Sequence, residues 1–139
     1  MGRHELREQV FRLLFRIEFN SIEDMQEQEK LFFEDDEADI SENDAEYIRG
    51  KYRKIQEKLP EIDKLVNDNT EKWDIKRMGK VELTALRLAV YEMLFDDDIP
   101  IGVAIDEAVG IAKTYGRENS GGFVNAILSK IVKLGDRNS

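Results

Sequence analysis

KRMGKVELTALRLAVYEMLF, residues 76–95, is the stretch that decides the fold. On a helical wheel its large apolar residues do not keep to one stripe. Met78, Val81, Ala85 and Ala89 share one side, while Leu83, Val90 and Leu94 lie roughly opposite. A helix apolar on opposed faces has to be covered on most sides. About 18 residues of helix span roughly 27 Å, the width of a small domain, so the other helices are expected to pack around this one. Arg87 and Glu92 interrupt the run, and a charge in apolar surroundings is costly unless it is paired. Arg87 is therefore read as one half of a structural ion pair.

Working outward, the chain of 139 residues is long enough for a single domain. It has no cysteine, which excludes disulfides and cysteine-ligated zinc. No window has the apolar length of a signal peptide core or a membrane span, so a cytoplasmic protein without a membrane partner is expected. The formal charge of −9 argues at first against nucleic acid. Its distribution reverses that argument. Residues 21–46 hold 12 carboxylates against the single Lys30, a local charge of −11, so the other 113 residues sum to +2. Basic patches remain available outside one acidic connector.

Helical periodicity recurs along the whole chain, with two prolines, Pro60 and Pro100, as punctuation. Leu6, Val10, Leu13, Leu14 and Ile17 predict an amphipathic first helix over Arg3–Phe19. Of its four arginines, Arg12 and Arg16 read as a solvated face, whereas Arg3 and Arg7 lie near the chain start, where long cations reach a partner. A short helix is expected to end in Leu31-Phe32-Phe33. Ser41 and Asp44 mark the next helix start, carrying Ala45, Ile48, Tyr52, Ile55 and Leu59 up to Pro60, which is expected to open a separate helix. Trp73 is expected to plug the core.

Beyond the central helix, Asp96-Asp97-Asp98 is expected to cap a helix that begins near Pro100. Ala104, Ala108 and Ala112 give that helix a narrow face for close packing, and Glu107 at its edge is the carboxylate chosen to pair with Arg87. Gly116 is expected to end it in the left-handed conformation. Asn119 or Ser120 then caps a last helix that buries Val124, Ile127, Leu128 and Ile131.

No catalytic constellation emerges. His4 is the sole histidine, with carboxylates as its nearest companions, and no nucleophile elbow or nucleotide-binding glycine pattern is present. Neither an enzyme, a metal site nor a cofactor is expected. The residues by themselves lead to a helical binding module.

Six ordered blocks carry more than that. They are Arg7-Glu8 with Leu13-Leu14-Phe15, then Trp73 with Arg77-Met78, and Leu86-Arg87-Leu88-Ala89-Val90-Tyr91-Glu92-Met93-Leu94 with Asp98-Ile99-Pro100. Val103-Ala104-Ile105-Asp106-Glu107-Ala108-Val109, Ala112-Lys113-Thr114-Tyr115-Gly116 and the run from Ser120 to Lys130 complete the set. Together they resemble the NusB family of bacterial transcription antitermination factors over nearly the whole chain. The resemblance implies an all-α compact bundle of about seven helices, one domain over 1–139, in two three-helix-bundle-like halves of about 1–72 and 73–139 around the central buried helix. It implies an RNA-binding, non-enzymatic factor that recognises boxA-type single-stranded RNA together with NusE, a small-subunit ribosomal protein, within an antitermination complex on RNA polymerase. A helical adaptor for a ribosomal protein, without RNA reading of its own, is the alternative, and self-association as a homodimer stays open.

The family's RNA surface maps here to Arg3, His4, Arg7, Lys113, Tyr115, Arg117 and Phe123, with Lys130 at its margin. The NusE-facing surface maps to Lys76, Arg77 and Glu82. Cations would neutralise phosphates, while Tyr115 and Phe123 would stack on unpaired bases. Gly122 stands where the family often has a lysine, and Glu5 and Gly2 dilute the basic N-terminal arm. Weak RNA affinity in isolation, strengthened by a protein partner, is the expectation.

Overall fold

The computed structural model describes residues 1–35, 39–70 and 75–138, with no side-chain detail over 134–138. Among the described residues six α-helices follow one another: α1 Arg3–Phe15, α2 Met25–Glu34, α3 Glu42–Asp68, α4 Lys80–Phe95, α5 Ile101–Tyr115 and α6 Ser120–Asn138. One 3-10 turn, Arg16–Phe19, follows α1. Among the described residues there is no strand. Trp73 and the centre of the acidic connector, 36–38, lie outside the described residues.

Two compact units divide the chain, 1–56 and 57–139. The boundary between these units falls within α3. Pro60 is inside that helix and does not start a new one. The reason is phase: Ile48, Tyr52 and Ile55 before the proline, and Ile62 and Val66 after it, keep one helical spacing, and all five are fully buried. Proline still removes the N–H that would bond the carbonyl four residues back. That carbonyl belongs to Gln56, the last residue of the first unit.

The first unit has α1 packed on α2 and the 3-10 turn, around Val10, Phe11, Leu13, Leu14, Met25 and Phe32. Ser41 caps α3 as expected, its hydroxyl accepting the Asp44 N–H at 3.2 Å. Arg12 is exposed, but Arg16 is not part of a solvated face. It donates to the carbonyl and side chain of Gln28 and lies 5.2 Å from the centre of the Phe32 ring.

In the second unit α4, α5 and α6 all pack on one another. Every residue of α4 from Leu83 to Glu92 is buried. Ten consecutive buried positions leave no exposed face, as the wheel of opposed apolar residues predicts. The helix starts at Lys80, however, and residues 75–79 form turns ahead of it. Arg87 forms a bidentate pair with Asp63 of α3, its Nε and Nη2 donating at 2.8 and 2.9 Å. Asp63 is thus a bidentate partner of Arg87 that the sequence did not single out. Spacing within α5 could not reveal it, because Asp63 lies beyond the proline at which α3 was expected to break. The Ala104, Ala108 and Ala112 stripe is buried. Pro100 itself, not an aspartate, is the N-cap of α5. Asp96 instead closes α4, and its carboxylate accepts the Asp98 N–H at 3.2 Å.

Candidate nucleic-acid and partner interface

The turn between α5 and α6 is built by close approaches. Gly116 has φ −103°, so it is not the left-handed cap expected from sequence. Glycine is needed there for space: a Cβ would stand 2.6 Å from both the Ala112 carbonyl oxygen and the Ser120 hydroxyl. Ser120 is buried, and its Oγ accepts the Arg117 N–H at 2.8 Å while donating to Glu82 Oε1 at 2.6 Å. One hydroxyl thereby fixes the α5–α6 turn and ties the start of α6 to the first turn of α4. Next to it, a Cβ on Gly121 would come within 2.8 to 2.9 Å of the Lys113 stem. The bare backbone of Gly121 lets that stem lie over the start of α6 while Lys113 itself stays exposed.

Between these two helix starts runs a groove of about 630 Å³, lined from one side by residues 77–82 and from the other by Tyr115, Gly116, Arg117, Asn119 and Phe123. Arg77, Lys80 and Arg117 are exposed cations on its wall, Tyr115 is exposed, and Phe123 is half-buried. The two sets assigned separately from sequence, Arg77 and Glu82 for a protein partner and Tyr115, Arg117 and Phe123 for RNA, therefore face one groove. The N-terminal end of α6 adds backbone N–H groups and the positive end of the helix dipole beside it. Lys76 and Lys130 are exposed but do not line it.

Sequence reading missed Lys80, Asn119 and the bridging role of Ser120. The signal for Lys80 was its place three residues after Arg77, a spacing that puts two cations near one another. For Ser120 no local pattern announces a bond to a residue 38 positions away.

In the first unit Arg3 and His4 are exposed on the opening turn of α1, and His4 Nε2 lies 3.9 Å from Glu8 Oε1. Arg7 departs from its expected role as an accessible cation: it is only 7% exposed. One helical turn separates it from Arg3 on the same face, so the two differ in their position along α1: Arg3 stands at the helix end and is exposed, Arg7 stands one turn further in and is buried. The Met1 ammonium donates to Asp44 at 3.1 Å, so the start of the chain is tied to the first turn of α3 rather than left loose. Among the described residues no group of three or more histidines and carboxylates is placed to hold a metal ion, and no helix is long and apolar enough to cross a membrane.

Comparison with known proteins places this geometry. The model of the NusB family matches residues 4–133. The transcription antitermination protein NusB of Lachnoclostridium phytofermentans is 45% identical over 132 residues, covering 95% of this chain and 99% of that protein. A crystal form of NusB from T. maritima superposes with a TM-score of 0.85 at 43% identity, covering 96% of this chain and 92% of that one. A crystal structure of the antitermination factors NusB and NusE in complex with double-stranded RNA superposes with a TM-score of 0.82 at 29% identity, covering 95% of this chain and 96% of that one.

Proposed function

Because this chain belongs to the NusB family, we propose that it is a non-enzymatic transcription antitermination factor. It binds boxA-type RNA jointly with NusE and acts with the RNA polymerase antitermination complex in the cytoplasm. The observation that carries this reading is the groove in which Arg77 and Glu82 face Tyr115, Arg117 and Phe123. Cations there neutralise phosphates, and the two aromatic rings offer stacking surfaces, each worth about 1 to 3 kcal/mol per unpaired base. Lys113 lies beside the start of α6 and Lys130 further along it, and Arg3 and His4 are candidate phosphate contacts on the first unit, taken by itself. Lys76 joins Arg77 and Glu82 in meeting NusE. Arg7 contributes by holding α1 in place rather than by meeting phosphate directly.

Titration of labelled boxA-type RNA, with and without NusE, at two salt concentrations tests the proposal. Affinity should rise with NusE and fall with salt, and Arg117→Ala should lower the slope of log affinity against log salt by about 1. RNA binding that is absent or indifferent to salt in both mixtures would sink it. The adaptor reading, in which the same groove holds the ribosomal protein without RNA, would then stand; the burial of Arg7 is the feature in its favour.

A further inference from the structure

The long helix α3 passes from the first compact unit into the second, and each half of it is clamped to a different neighbour. In the first half Arg53 Nε donates to Glu29 Oε1 of α2 at 3.1 Å, and the Arg49 guanidinium lies 4.5 Å from the centre of the Phe33 ring on the same helix. In the second half Asp63 accepts the fork from Arg87 of α4, and the Lys58 ammonium lies 5.1 Å from the centre of the Phe95 ring at the end of α4. The clamps thus change partner between Arg53 and Lys58. The boundary of the units, between Gln56 and Glu57, falls in that interval.

The backbone is interrupted at the same place. Pro60 offers no N–H to the Gln56 carbonyl and its ring crowds that oxygen, so the ladder of α3 lacks a bond across the turn 56–60. Pro60 is exposed, which keeps the side of the turn that opens toward solvent. A proline whose two flanks pack into one core makes a fixed kink. Here the flanks belong to separately packed units, so neither core by itself sets the angle. A half-length of about 20 Å converts a bend of about 10° into a displacement of about 3 to 4 Å at the helix end. We propose that residues 56–60 are a hinge of α3 at which the two units change orientation, and that RNA bound with NusE fixes its angle. The second clause rests on the function proposed above, whose RNA residues are divided between the units, Arg3 and His4 in the first and Tyr115 and Arg117 in the second.

The chain has no cysteine, so paired cysteines can carry nitroxide labels without background. Glu46→Cys with Asn125→Cys puts one exposed label in each unit, and Lys64→Cys with Asn125→Cys puts both in the second. Distance distributions are measured by pulsed electron double resonance on the whole chain. The pair across the hinge should be broader than the control pair by about a factor of two. Pro60→Ala returns the missing N–H in the best helix former and should narrow the cross-hinge distribution to the control width. Loading the parent chain with boxA-type RNA and NusE should narrow it likewise. A cross-hinge distribution as narrow as the control, or one that stays broad in Pro60→Ala, would overturn the hinge. RNA that binds and leaves the distribution broad would overturn the fixing of its angle. Should no RNA bind at all, the function proposed above fails, while the comparison of parent and Pro60→Ala still decides the hinge.

Discussion

The two units hold their buried polar groups in different ways. In the second, Arg87 is forked onto Asp63, the Thr84 hydroxyl donates to the Lys80 carbonyl at 2.7 Å, and Ser120 joins Glu82 to the Arg117 backbone. In the first, the Tyr52 hydroxyl and Gln9 Oε1 are buried without a hydrogen-bond partner among the described residues. Hydrogen bonds are directional and apolar contacts are not. The unit that carries the groove thus has its helix ends fixed by these paired polar groups, whereas the first unit pairs Glu29 with Arg53 and Arg16 with Gln28 but leaves one phenol and one amide oxygen unpaired. Substitutions that unpair a group in the second unit should cost far more than removal of the lone hydroxyl in the first.

The largest effect is expected at the buried fork. Arg87→Met leaves the Asp63 carboxylate without its guanidinium, and breaking such a pair typically costs about 3 to 5 kcal/mol. Asp63 retains 21% side-chain exposure, so water recovers part of this and a loss of about 3 kcal/mol is expected. Urea unfolding should show the midpoint falling at constant slope. Adding Asp63→Leu should restore a good part of the loss, because removing both charges leaves none stranded. If Arg87→Met alone is neutral, the contrast between the units collapses.

That fork also shows where sequence stops being legible. Sequence named Arg87 correctly as a buried charge needing a carboxylate, since the need follows from its apolar neighbours on one helix. The choice of partner required knowing that α3 continues through Pro60, and local rules weigh a proline more heavily than an apolar phase that resumes beyond it. The same limit appears at Gly116, where sequence identified the residue and the helix end, but the cause is the approach of Ser120 and not a left-handed backbone. Helix faces were readable because burial repeats with the helical period, as with Val124, Ile127, Leu128 and Ile131, all buried. Arg3 and Arg7 were not separable, because they share one face of α1 and differ only in how far along the helix they stand.

An intermediate effect is expected where the groove is pinned. Ser120→Ala removes the bond to Glu82 and leaves the Arg117 N–H without its acceptor, for a loss of about 1 to 2 kcal/mol. Hydrogen exchange at Arg117 should accelerate while amides in the centre of α4 keep their protection, because the damage is confined to the turn. Uniform acceleration across α4 would mean that Ser120 supports the whole unit and not the groove alone.

The smallest effect at neutral pH is expected at Tyr52, and its sign is informative. Burial pushes the phenol up from 10.0 to about 12, with the Glu29 carboxylate adding to the rise and Arg53 opposing it. The folded state therefore keeps a proton that the unfolded chain releases near pH 10, so this contribution is complete below pH 10 and is lost as pH rises toward 12. A shift of this size corresponds to about 2 to 3 kcal/mol over that window. Tyr52→Phe removes a hydroxyl that has no partner among the described residues, so at pH 7 its stability should lie within about 0.5 kcal/mol of the parent chain or slightly above it. Between pH 10 and 12 the variant should lose less stability than the parent, and the difference between their two pH profiles isolates Tyr52 from every other titrating group. A substantial loss at pH 7 would show that the hydroxyl is satisfied after all, and would remove the asymmetry between the two units from its weaker side.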